Sequence, residues 1–253
     1  MARSTLITLL VLKAVSVLLA VFGSWPAAVI VYVVPDLWVL YNLFVPSAQG
    51  LCRSFTHFAT TQPEIWLTID DGPDPDDTPR ILDLLDRHQA RATFFLIGDR
   101  AAQQPELVRQ IVRRGHEVGH HTHTHPVGSF WCASRTRLGA ELDAATAVLQ
   151  PLGPPLRWFR APVGIKHFLL PRALSSRGLH CVGWSIRSGD AFGRRPEAVV
   201  ARVIRQLHPG AIVLVHEGRT VPSSIRVTAI AQLLDALAAR HYRCVLPDPA
   251  QLR

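Results

Sequence analysis

Two regimes of hydrophobic patterning divide the chain. As far as Cys52 the apolar residues run almost unbroken, with Arg3, Lys13 and Asp36 as the only formal charges; beyond it, short apolar runs alternate with segments of helical period. The 22 uncharged residues between Lys13 and Asp36 are long enough, at about 1.5 Å per residue, to cross a hydrocarbon core of roughly 30 Å. This stretch parses either as one spanning helix or as two helices, over about 5–22 and 27–46, that turn at Gly23-Ser24-Trp25-Pro26. With Arg3 and Lys13 held inside, one crossing delivers the downstream domain to the outer face, whereas a hairpin returns it to the cytoplasm near Arg53. The single crossing is the preferred parse, and the expected location is the inner membrane with the catalytic-sized domain on its outer, periplasmic face. A cleaved signal peptide fits poorly, because Lys13 interrupts the apolar core and hydrophobicity continues past any small-residue cleavage site.

From Glu64 onward the pattern predicts strands at 64–69, 92–97, 116–119, 156–159, 180–185, 211–216 and 242–246. Helices are predicted at 78–89, 105–114, 134–149, 168–177, 196–207 and 225–240. Parallel neighbours need a crossover of a dozen or more residues, which a helix supplies, so the seven strands read as parallel βα units in a barrel or a doubly wound sheet. Pro105 and Pro196 at helix starts, and Gly115, Gly178 and Gly210 just past helix ends, fit this punctuation. The expected organisation is a membrane segment over 1–50, a linker over 51–62 and a catalytic domain over 63–253. A flexible linker of this kind would hold the domain only ~20 to 25 Å from the bilayer.

Composition narrows the function. The 253 residues are 48% hydrophobic and 18% charged, which excludes disorder, collagen and a disulfide-stapled miniprotein. The net charge of +8 comes from arginines scattered through helices rather than gathered with aromatics, so nucleic acid is not an expected partner. Cys52, Cys132, Cys181 and Cys244 form no CxxC pair, and a buried thiol acting as a small hydrophobe is the expected state of Cys181 and Cys244.

Candidate chemistry gathers where predicted strands end. The first strand runs into Asp70-Asp71-Gly72-Pro73, two adjacent carboxylates whose repulsion needs a cation or water to offset it; an acidic turn is the plain alternative. The third runs into residues 115–126, which hold five of the twelve histidines. His121 and His125, at i and i+4, would share one face of a helical turn and could grip one metal ion. Arg160, Asp190 and His216 come after later strands, and each alone is ordinary. Convergence at the carboxyl ends of parallel strands is what makes a common site.

The strings TIDDGP, HHTHTHP, FRAPVG, WSIRSGD and LVHEG, in this order, resemble the five motifs of the polysaccharide deacetylase family, the NodB-homology carbohydrate esterases, over residues 63–247. The resemblance implies a distorted (β/α) barrel of about seven strands. It further implies a divalent metal, usually zinc with cobalt, manganese or nickel as alternatives, used to hydrolyse an N-acetyl group from an amino sugar. Carried over by residue, Asp71, His121 and His125 would hold the metal, Asp70 would be the general base and His216 the general acid. Arg160 would pair with Asp70 and Asp190 with His216, while Trp184, Leu214 and Pro162 would contact substrate. Ile69, Val163 and Glu217 depart from the family's usual residues and alter the sugar-contacting rim. The expected partners are an N-acetylated glycan or glycolipid and membrane lipid. The competing readings are an inactive carbohydrate-binding protein on the same barrel and a deacylase of another group such as formyl.

Overall fold

The computed structural model describes residues 3–218 and 221–253, without the side chains of Arg3, Ser4 and Leu6. The amino-terminal segment is a hairpin of two helices, α1 (Arg3–Val21) and α2 (Trp25–Phe44). The unbroken single helix does not form, because the chain reverses at Gly23, whose φ of 79° is the left-handed region that glycine enters without a Cβ clash. Polar groups register the two helices: Ser16 Oγ donates to Ala28 O at 2.7 Å, and Lys13 Nζ donates to Asp36 Oδ2 at 2.7 Å and Tyr32 O at 2.6 Å. Among the described residues α2 is the one helix whose length and composition suffice for a membrane crossing; the apolar stretch of α1, Ile7–Val21, is shorter.

The remainder is a curled, wholly parallel sheet wrapped by helices. Its strands are β1 (Glu64–Gly72), β2 (Ala92–Leu96), β3 (Glu117–His120), β4 (Trp158–Phe159), β5 (His180–Cys181), β6 (Ile186–Arg187), β7 (Ala211–His216) and β8 (Arg243–Cys244). They lie in the order β5-β4-β3-β2-β1-β7-β6, with β8 joining the start of β1. The predicted strand at 180–185 is cut short: β5 ends at Cys181 on one edge, and residues 182–185 carry the chain across to β6, which begins at Ile186 on the other. The barrel is thus open between β5 and β6. Residues 55–58 lie along this opening, with Phe55 bridged to Val182 and His57 to Ala211. The helices are α3 (Thr78–Arg87), α4 (Gly98–Gln103), α5 (Pro105–Arg113), α6 (Arg135–Leu149), α7 (Leu170–Ser175), α8 (Pro196–Gln206) and α9 (Ser223–Ala238).

Strand periodicity sorts the side chains into two layers. In β1, Ile65, Leu67 and Ile69 join the large core beneath the helices, together with Ala211, Val213 and Val215 of β7. The alternate residues belong to the interior: Trp66, Phe95, Trp158 and Ile212 form a second cluster, with the indoles of Trp66 and Trp158 edge to face at 5.5 Å. Continuing each alternation upward brings Thr68 and Asp70 above Trp66, Arg160 above Trp158, and Leu214 and His216 above Ile212. The interior is therefore apolar at its base and charged at the carboxyl end.

Candidate active site

Arg160 is enclosed at the centre of this charged layer. Its guanidinium donates to Asp70 Oδ1 at 2.7 Å, Thr68 Oγ1 at 2.8 Å, Gly183 O at 2.7 Å and Val182 O at 3.1 Å, and lies 4.2 Å from the Phe95 ring centroid. A buried cation needs this degree of satisfaction to remain in place. One consequence is that Asp70 is aimed and charge-compensated from one side, leaving its second oxygen toward the site.

A second ion pair mirrors the first. Asp190 Oδ1 accepts from His216 Nδ1 at 2.7 Å and Ser188 Oγ at 2.7 Å, and Oδ2 accepts from the His216 backbone N–H at 2.6 Å. Burial opposes ionisation of Asp190, but the charge and hydrogen bonds of His216, with Ser188, hold its carboxyl below the usual carboxylate range. Burial likewise pulls the His216 pKa down; the Asp190 charge and hydrogen bond, then Asp70 and Asp71, overcome it and raise it to about 9. The ring holds a proton at neutral pH, with Nε2 left to donate it.

Between the two pairs, Asp71, His121 and His125 bring one donor atom each within 4.8 Å of one another. Asp71 Oδ1 lies 3.4 Å from His121 Nε2 and 3.3 Å from His125 Nε2, yet this buried oxygen accepts no hydrogen bond. An orphaned, buried carboxylate oxygen facing two imidazole nitrogens fits a divalent cation. His121 Nδ1 donates to Arg160 O at 2.8 Å, which directs the other ring nitrogen toward the site. Burial, followed by the charge of His121, lowers the His125 pKa to about 4 and keeps its ring neutral for ligation. Burial opposes the charge on Asp71, but His121, His125 and His216 outweigh it and keep the carboxyl ionised well below its ordinary range.

The two histidines do not converge through a helical turn as expected. Residues 121–128 form a loop in which Thr122 and His125 adopt φ of 65° and 53°. Glu141 on α6 clamps that loop, accepting from His123 N and Thr124 N at 2.9 Å each and from Thr124 Oγ1 at 2.6 Å. Asp71 is also left-handed, at φ 71°, and its carbonyl accepts from Arg100. Strain of this kind persists only where surrounding bonds over-determine it. Glu141 and Arg100 were not singled out from the sequence. For Glu141 a signal was present, since a carboxylate shares the apolar face of α6 with Leu138, Leu142 and Ala145.

The structure brings Asp70, Asp71, His121, His125, Arg160, Asp190 and His216 to one mouth. Trp184 is half-buried beside it, its ring 5.6 Å from the Arg160 guanidinium carbon and 6.0 Å from that of Arg187. Pro162 is buried in a short turn after β4, and Leu214 is enclosed in β7, two residues below His216.

The polysaccharide deacetylase family model matches residues 58–182. The chain is 35% identical over 198 residues to the chitooligosaccharide deacetylase of Sinorhizobium fredii, covering 76% of this chain and 92% of that one. It is 36% identical over 184 residues to a peptidoglycan-N-acetylglucosamine deacetylase of Bacillus cereus, covering 72% and 84%. A crystal structure of a peptidoglycan N-acetylglucosamine deacetylase in complex with 4-naphthalen-1-yl-N-oxidanyl-benzamide superposes with a TM-score of 0.70 at 27% identity, covering 78% of this chain and 91% of that one.

Proposed function

This chain belongs to the polysaccharide deacetylase family, and from that premise we propose that it hydrolyses the N-acetyl amide of an N-acetylglucosamine-type sugar, releasing acetate and the free amine. The observation that carries the reading is the separation of a compensated carboxylate, Asp70 on Arg160, from a protonated imidazole, His216 on Asp190, across the Asp71–His121–His125 cluster. A charge-compensated carboxylate and a protonated imidazole on opposite sides of one cluster divide into base and acid.

Asp70 accepts the proton of the attacking water, and Arg160 compensates its charge and orients it while also donating to Thr68 Oγ1. His216 delivers its proton to the departing nitrogen, so the amine leaves neutral, and Asp190 fixes the ring and stabilises its charge. Asp71, His121 and His125 would hold a divalent ion; zinc suits one carboxylate and two imidazoles, and cobalt, manganese and nickel match the same set. When bound, such an ion supplies Lewis-acid polarisation of the amide carbonyl and lowers the pKa of water. Trp184, with Pro162 and Leu214, supplies the apolar wall for the acetyl methyl. The test is acetate release from N-acetylated chitooligosaccharides with and without chelation. Chelator-sensitive release supports the reading; acetate release that persists after chelation, or none with the ion demonstrably bound, sinks it.

For location, the reading best supported by the fold is a helical hairpin inserted in the membrane. Lys13 and Asp36 sit near the middle of their helices and neutralise one another, the pairing that an ionisable residue inside a bilayer requires. The turn at 22–24 carries no Lys or Arg, whereas Arg3 and Arg53 lie at the opposite ends. The positive charges therefore favour a domain on the cytoplasmic face. The outer-face expectation corresponds to α2, the one described helix long and apolar enough for a crossing, spanning alone; a hairpin spanning as a pair places the domain on the opposite face.

A further inference from the structure

The expected flexible tether between the apolar segment and the domain is replaced by a docked connection, and it docks at the catalytic mouth. The backbone N–H of Lys166 donates to Leu43 O at 2.9 Å, and its Nζ donates to Ala48 O. Asn42 Oδ1 accepts from Gly50 N at 2.6 Å, folding residues 45–50 back on the end of α2. Gly164, at φ 76°, lies so close beneath Pro46 and Trp184 that a Cβ would come within 2.7 Å of the first and 2.6 Å of the second. Phe44 meets Trp131 with ring centroids 6.2 Å apart. The carboxyl end of α2 is thus fastened to the loops that come after His125 and Arg160.

The same rim is the domain's apolar face. Among the described residues, the large hydrophobic side chains left exposed outside the hairpin are Val127, Trp131, Val163 and Phe192. All four stand on loops after β3, β4 or β6, at the mouth. The contacts are continuous: Pro46 and Trp184 pack over Gly164, Arg187 stacks 6.0 Å from Trp184, and the same guanidinium lies 4.9 Å from Phe192. Phe192 is 65% exposed, and the neighbouring Arg194 and Arg195 are exposed as well. An apolar tip flanked by arginines suits the boundary between acyl chains and anionic headgroups.

Resting on the deacetylase reading above, we propose that the mouth opens onto the bilayer surface and that the preferred substrate is an N-acetylated amino sugar borne on a membrane lipid. Docking α2 to the rim fixes the distance and direction between membrane and catalytic groups, which a free linker could not do. A substrate confined to the same surface then meets the site at high effective concentration.

The experiment uses the full chain reconstituted in vesicles of phosphatidylethanolamine and phosphatidylglycerol. Acetate release is compared for N-acetylglucosamine linked through phosphate to a long-chain alcohol in those vesicles and for soluble N-acetylated chitotetraose. The expected result is a kcat/KM advantage of about tenfold or more for the lipid-borne sugar, the order of gain that confinement provides. Phe192→Asp and Trp131→Ser should erase most of that advantage while leaving chitotetraose turnover unchanged, which also reports that both variants fold. Equal or faster turnover of chitotetraose, with the two variants without effect on either substrate, overturns the membrane-facing mouth and leaves the deacetylase reading standing. Silence on both substrates with the ion bound overturns the deacetylase reading, and this proposal with it.

Discussion

Replacing Asp190 by Asn separates the electrostatic role of this carboxylate from its structural one. Asp190→Asn keeps an oxygen for His216 Nδ1 and Ser188 Oγ, but sets an amide NH2 against the His216 backbone N–H that Oδ2 accepts at 2.6 Å. In the native protein burial pulls the imidazole pKa down, while Asp190, first through its charge and then through its hydrogen bond, does most to carry it from the ordinary 6.5 to about 9. That rise of about 2.5 corresponds to roughly 3 kcal/mol in favour of the protonated ring, at about 1.4 kcal/mol for each pKa unit. Without the carboxylate charge, burial is left opposed chiefly by the more distant Asp70 and Asp71, and the pKa falls to the ordinary histidine range or below. Because the acid must be protonated to serve the leaving amine, the alkaline limb of kcat should move from near pH 9 down by about two units. At pH 8 the variant should lose about 10- to 100-fold in kcat, and far less at pH 6. The assay is acetate release with saturating substrate and metal from pH 5.5 to about 9.5. A uniform loss at every pH, with the alkaline limb unmoved, would refute the assignment of His216 as the acid.

Three further outcomes are expected. Glu141→Gln keeps one acceptor oxygen but loses the second, which the 121–125 loop needs for its three hydrogen bonds; zinc affinity by calorimetry should fall about 10- to 100-fold with the melting temperature only slightly lowered. Glu217 is buried beneath Gly72 and accepts from Thr78 Oγ1 at 2.5 Å. Burial, with Asp77 and Asp74, raises its pKa from 4.5 to about 8. The folded state therefore holds this proton where the unfolded chain has lost it, and stability declines as pH rises between those values; Glu217→Gln should flatten that decline in denaturant titrations at pH 5 and 8. Finally, green fluorescent protein fused after Arg253 should fluoresce and an alkaline phosphatase fusion at the same point should be silent, as a cytoplasmic domain requires; the reverse pattern would restore the single crossing.

The parallel sheet and the strand ends that carry the site were legible because period-2 and period-3.6 patterns are local, and because Trp66, Thr68 and Asp70 must share one face once β1 exists. Features set by tertiary contact were not legible. The run 180–185 looks like one strand, but only His180–Cys181 is paired as β5; the chain then crosses the opening and pairs again as β6, at Ile186–Arg187, on the other edge, which local pattern does not encode. The convergence of His121 and His125 depends on left-handed backbone at Thr122 and His125, held by Glu141 from another helix; spacing alone suggested a helical turn instead. In the amino-terminal segment, the turn at Gly23 was legible as one of two parses, but uniform hydrophobicity did not choose between them, and the register of the helices is set by tertiary contacts of Ser16 with Ala28 and of Lys13 with Tyr32 and Asp36. Residues 45–58 have linker composition yet lie packed, because Pro46, Phe55 and Phe58 find partners on the rim and along the barrel opening.

Two neighbouring variants, carried through zinc binding by calorimetry and acetate release side by side, separate the base from the ligand. Asp70→Asn should bind zinc with near-native affinity and release no acetate, because the base is lost and the ligand cluster kept. Asp71→Asn should lose both, since it replaces the anionic carboxylate whose orphaned oxygen lies between His121 and His125 with a neutral amide, a far weaker ligand for a divalent ion. Turnover surviving in Asp70→Asn, or unchanged zinc affinity in Asp71→Asn, would contradict the division of labour between the two adjacent carboxylates.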